Sequence, residues 1–183
     1  MPVNADLIPE TGAGVVNANT YATRAEATAY HAPRDNTDWA NADESNQVAA
    51  LIRATDYMDR RWNFPGSQST TTQGLRWPRV HVFDREGNDV SNTLPLPIKE
   101  ATIEYALRIV ADLGRLMPDP TSLDESGKLV TMKREKVGPL EEETRYSDSV
   151  STSVRVIQPY PEVDRMLILS GLVIPLSNRV IRA

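Results

Sequence analysis

The chain has 183 residues, and its 20 lysines and arginines face 25 aspartates and glutamates, for a formal net charge of -5. That balance speaks against the broad attraction to phosphate on which non-specific nucleic-acid binding depends, although it leaves room for a local basic patch. The absence of cysteine removes disulfides, thiolate nucleophiles and thiolate metal sites, and His31 and His81 are too far apart in sequence to suggest a histidine metal site or triad.

Hydrophobic residues make up 40% and charged residues 25%, the composition of one globular domain of ordinary size. No apolar run approaches the roughly 20 residues that span a bilayer. The start MPVNADLIPE lacks the charged-then-apolar pattern of a secretory signal, so a cytoplasmic site of synthesis and assembly is expected, without a membrane.

Residues 1–19 are polar and punctuated by Pro2, Pro9, Gly12 and Gly14, which reads as an extended arm. Gly12-x-Gly14 lacks the third glycine and the strand–helix frame of a nucleotide fingerprint. Thr23 stands three residues before Glu26, the spacing of a capping box, so a short helix is expected from there to about His31, ending near Pro33. Residues 33–40 have a loop composition. A second helix, capped by Asn41 or Asp43, carries Val48, Leu51, Ile52, Thr55 and Met58 on one stripe and should run to about Arg61, where Pro65-Gly66 stops the local structure.

Ser67 to Thr72 reads as a polar loop, and Val80 to Phe83, a Gly-Asn turn and Asp89-Val90 suggest a small hairpin. From Ile98 to about Leu116 the polar residues Glu100, Glu104, Arg108 and Asp112 step by four along a narrow stripe. A helix so apolar elsewhere must be central, with Ile103, Leu107 and Val110 inward. Residues 118–128 read as a loop, and two charge-rich runs around Gly138-Pro139 predict a β-ribbon over about 129–146. In Glu141-Glu142-Glu143, neighbours on a strand face opposite ways, so the three do not converge on one cation. After a Ser/Thr-rich linker, Pro161 opens a short helix that Gly171 closes.

The fold class expected is mainly α: a small helical bundle over 20–170 with one or two β-hairpins, an arm over 1–19 and a C-terminal arm over 171–183. That last arm is apolar and broken by Pro175, a composition that predicts ordering by a partner.

Trp62, Phe64 and Trp77 lie among Arg60, Arg61, Arg76 and Arg79, the mixture a single-strand binder uses for base stacking and phosphate contact. The simpler reading is that the aromatics cover the bundle where two loops meet, with the arginines paired to nearby acids. Exposed together they would support DNA binding; buried and paired they would support a scaffold.

Several segments stand in a familiar order: Thr20-Tyr21-Ala22, Ala49 to Asp59, Phe64-Pro65-Gly66, Gln73-Gly74-Leu75-Arg76-Trp77-Pro78-Arg79, Pro97 to Ala101, Glu135-Lys136-Val137-Gly138-Pro139 and Tyr160-Pro161-Glu162-Val163-Asp164. Over residues 20–170 the chain resembles the head-tail connector adaptors of tailed phages, whose relatives often carry the label of DnaT-like single-stranded-DNA-binding proteins. The resemblance implies a homo-oligomeric, dodecameric ring below the portal protein at the head-tail interface of the virion. Such a ring extends the DNA channel, passes DNA without specific binding, and docks the stopper or tail proteins. It implies no active site, no cofactor and no metal. Leu172, Val173, Ile174, Leu176, Arg179, Val180, Ile181 and Arg182 would then contact the portal or a neighbouring subunit. The second reading is a DnaT-like single-stranded-DNA-binding protein with Arg61, Trp62, Arg76, Trp77 and Arg79 on the DNA.

Overall fold

The computed structural model describes residues 2–111, 130–136, 141–146 and 160–174. The chain divides into two compact units, one made of Met1–Leu116 with Pro159–Ala183 and the other of Met117–Gln158. The fold is mainly α, as the sequence predicts.

In the first unit, α1 (Arg24–His31) begins with the predicted capping box: Thr23 Oγ1 accepts from the Glu26 N–H at 3.1 Å, and Glu26 returns the bond to the Thr23 N–H at 2.7 Å. Glu26 also receives Lys99 Nζ at 2.7 Å, tying α1 to α4 (Leu96–Ala111). The expected loop at 33–40 instead holds a one-turn helix, α2 (Thr37–Asn41). Its Trp39 is buried and donates its indole N–H to Thr28 Oγ1, and the Trp39 carbonyl accepts from Gln47 on α3 (Glu44–Arg61). Asp43 caps α3 through the Asn46 N–H.

α3 and α4 pack along each other, burying Val48, Leu51, Ala54 and Met58 from the first and Ile98, Ala101, Tyr105 and Ile109 from the second. α4 is central, as its composition predicts, but Ile103 alone of the three expected inward residues is buried; Leu107 and Val110 are half-buried. The buried stripe is instead set by Ile98, Ala101, Tyr105 and Ile109, which recur at three- and four-residue spacing. α5 (Pro161–Ser170) packs on α4 and ends at Gly171 with φ 75°, the left-handed cap that glycine adopts without strain.

Residues 1–19 are not a free arm. Pro9 bridges Thr20 in parallel, and the buried Glu10 carboxylate accepts the N–H groups of Thr11, Gly12, Gly14 and Val15 at 2.8–3.0 Å. The glycines permit that loop to wrap its own carboxylate. Nor is the whole C-terminal segment an arm: Leu172 is 1% and Val173 5% exposed, and the Ile174 N–H donates to the Asn63 carbonyl. Burying those two side chains offsets the entropy of ordering them, while Ile174 stays 51% exposed. Leu176, Arg179, Val180, Ile181 and Arg182 lie outside the described residues.

The expected polar loop at 67–72 contributes β1 (Ser67–Gln68), paired antiparallel with β2 (Arg79–Val80). Of the predicted hairpin a single bridge forms, Phe83 with Asp89, its turn held by Asp84, while Val80 pairs with Ser67. In the second unit, β3 (Val130–Lys136) and β4 (Glu141–Tyr146) form the predicted antiparallel ribbon, whose register sets Lys136 opposite Glu141 and Arg134 opposite Glu143, with an irregularity between Val130 and Met132.

Candidate nucleic-acid interface

The structure brings the sequence-predicted residues into two separate networks and buries most of them. Trp62, Phe64 and Trp77 are 6%, 7% and 0% exposed, so none presents a face to a base. Phe64 and Trp77 meet edge to face with centroids 6.0 Å apart, a core contact.

The first network lies where the 73–79 loop meets α3. Gln73 pins the loop by donating to the carbonyls of Leu75 and Pro78 while accepting the Thr70 N–H. Gly74 lies against the N-terminal segment, where a Cβ would come 2.7 Å from the Ala18 carbonyl oxygen. Arg79 is enclosed by carbonyls: its guanidinium donates to Pro65 at 2.6 Å, Gly66 at 2.8 Å and Arg76 at 3.0 Å. Burial lowers its pKa, with the nearby Arg76 charge adding to the effect. Beneath it, Asp59 accepts the Tyr21 hydroxyl at 2.7 Å and the Arg76 N–H at 3.2 Å, and the Trp77 N–H donates to the Tyr21 oxygen at 3.2 Å. Desolvation outweighs these bonds and pushes the Asp59 carboxyl up to about 6.

The second network joins α3, α4 and α5. Arg61 makes a two-pronged ion pair with the Asp164 carboxylate, which also accepts the Tyr105 hydroxyl at 2.8 Å and the Tyr160 N–H at 3.1 Å. Trp62 donates its indole N–H to the Tyr105 oxygen at 3.3 Å. Tyr57, Tyr105 and Tyr160 pack edge to face around the group. Burial raises Tyr105 well above the ordinary phenol range, with the Asp164 carboxylate adding to it, so the hydroxyl stays protonated and donates.

Of the five predicted DNA-contact residues, Arg76 alone is an exposed side chain; Trp62, Trp77 and Arg79 are buried and Arg61 is paired. The sequence allowed for arginines paired to acids but did not single out Asp164, which takes the Arg61 guanidinium from 103 residues away, or Asp59, which accepts the Arg76 backbone N–H from 17 residues away. Within each segment the only signal was the tyrosine-acid pair itself. Arg53, Arg60, Arg85 and Arg165 are also exposed, the second beside Asp56 at 3.5 Å. Among the described residues no cluster of three or more His, Cys, Asp or Glu side chains could hold a metal ion, and no helix is long and apolar enough to cross a membrane.

A family model described as "Putative DnaT-like ssDNA binding protein" matches residues 5–182. The chain belongs to this DnaT-like family. No curated protein and no solved structure matches it. The match overturns the expectation of a virion head-tail connector or adaptor. The segments that carried the resemblance have structural roles: Gln73 to Arg79 and Tyr160 to Asp164 hold loops and helices of the one chain together.

Proposed function

We propose that this chain is a DnaT-like single-stranded-DNA-binding protein that acts by binding and performs no chemistry on the strand. The observation that carries this reading is the family match across residues 5–182. The exposed guanidinium groups of Arg53, Arg76, Arg85 and Arg165 are available to phosphates, while the net charge of -5 keeps the number of simultaneous contacts small. With three such contacts, the logarithm of affinity should fall with the logarithm of salt at a slope of about -2, from roughly -0.7 per phosphate on a single strand.

Fluorescence anisotropy of a labelled oligothymidylate of about 20 nucleotides, titrated with protein from low to physiological salt, tests this. Saturable binding with that salt slope is expected. No binding at the lowest salt would overturn the reading. Trp77→Ala and Arg79→Ala are unsuitable probes, since both remove structural groups and not DNA contacts.

A further inference from the structure

Single-strand binders hold bases by stacking them on aromatic rings beside a cationic track. Among the described aromatic side chains only Phe83 is exposed, at 58%. Tyr30 and Tyr160 are half-buried and already engaged, the first under the Arg34 guanidinium at 3.6 Å and the second against Tyr57 and Tyr105.

The ring sits on a braced support. Asp84 accepts the N–H groups of Glu86 and Asn88 and the Asn88 side-chain amide at 2.8–2.9 Å, closing the turn, and the Phe83–Asp89 bridge closes its base. The Arg85 N–H then anchors the turn to the Ser170 carbonyl at the end of α5, at 3.1 Å. Val82 faces inward and is fully buried, while His81, Phe83 and Arg85 are exposed. On α5, whose Ser170 holds that anchor, Arg165 and Leu169 lie one turn apart and are both exposed.

We infer that Phe83 is the base-stacking platform of this protein for single-stranded DNA, with Arg85 and Arg165 taking the flanking phosphates. The inference rests on the single-stranded-DNA reading above and names its site. The carboxylates of Asp84 and Asp89 are turned to the hairpin's own N–H groups and stay ionised, so together with the exposed Glu86 they oppose the strand and limit its affinity.

The test uses the full chain and a labelled oligothymidylate at fixed low salt. Phe83→Leu keeps an apolar side chain but removes the ring. It should weaken binding about 5- to 150-fold, the equivalent of roughly 1–3 kcal/mol per stacked base, with an unchanged urea midpoint because the ring is exposed. Phe83→Trp should retain affinity, and its new exposed indole should be quenched by the oligonucleotide, whereas the native tryptophans are buried. Arg85→Gln with Arg165→Gln should weaken binding and flatten the salt slope, and Glu86→Gln should strengthen it. Wild-type binding with Phe83→Leu unaffected overturns the platform while leaving the DNA reading standing. Absence of wild-type binding overturns the DNA reading itself.

Discussion

Replacing Asp164 with Ala removes the acceptor of four donors at once: two from Arg61, the Tyr105 hydroxyl and the Tyr160 N–H. The Arg61 and Asp164 side chains are only 13% and 11% exposed, so the guanidinium left behind cannot recover full hydration. Breaking a buried pair from one side costs about 3–5 kcal/mol, a large part of the ~5–15 kcal/mol that holds an ordinary domain folded. Urea denaturation followed by circular dichroism should therefore show the midpoint falling by about 2 M, taking an m-value near 2 kcal/mol/M. Arg61→Met combined with Asp164→Leu removes both charges and should lose less than Asp164→Ala alone, leaving mainly the cost of the stranded tyrosine donors, about 1–3 kcal/mol. Asp56→Ala, which breaks the exposed Arg60 pair, should change stability by no more than about 0.5 kcal/mol. A loss below about 1 kcal/mol for Asp164→Ala, or a double variant no better than that single one, would show that α5 is not held by this ion pair.

Asp59 binds its proton more tightly folded than unfolded, so its contribution to stability is complete below about 4 and is lost as pH rises through about 6. A shift from 3.8 to about 6 corresponds to about 3 kcal/mol. Urea unfolding of wild type and Asp59→Asn between pH 4 and pH 7 should show their stability difference changing by about that amount, and a constant difference would refute the burial argument. Ending the chain after Gly171 instead of after Ile174 removes Leu172 and Val173, each worth about 1.5–3 kcal/mol of burial, and should lower the melting temperature markedly; equal melting temperatures would show that the segment lies outside the core.

The helices were legible because local rules suffice for them. The Thr23–Glu26 box, the Asp43 cap and Gly171 each act within four residues, and the structure uses all three. α2 escaped because a single turn shows no period, and its reason to form is Trp39, which needs Thr28 and Gln47 as partners. The strands β1 and β2 are two residues each, held by pairing across the intervening loop. The aromatic and basic residues around Trp77 are buried or paired as one of the two readings of the sequence had it; composition names the donors, but only tertiary structure brings Asp164 and the Pro65 and Gly66 carbonyls to the Arg61 and Arg79 guanidinium groups. Phe83 went unnoticed because exposure is a property of the packed chain, and a phenylalanine in a β-branched run reads as core.

The pairing of Arg61 with Asp164 spans 103 residues, and the whole of Met117–Gln158 lies in the intervening stretch of chain. During synthesis Arg61 on α3 and Tyr105 on α4 emerge before Asp164, and the first unit stays incomplete until α5 has followed. The closure entropy for that final docking grows only logarithmically with what is inserted, about 0.6 kcal/mol for each doubling of loop length. The connection between Leu116 and Pro159 is thus a place where evolution can lengthen, shorten or replace a module at little thermodynamic cost, while the fold remains vulnerable to any truncation that removes its last helix.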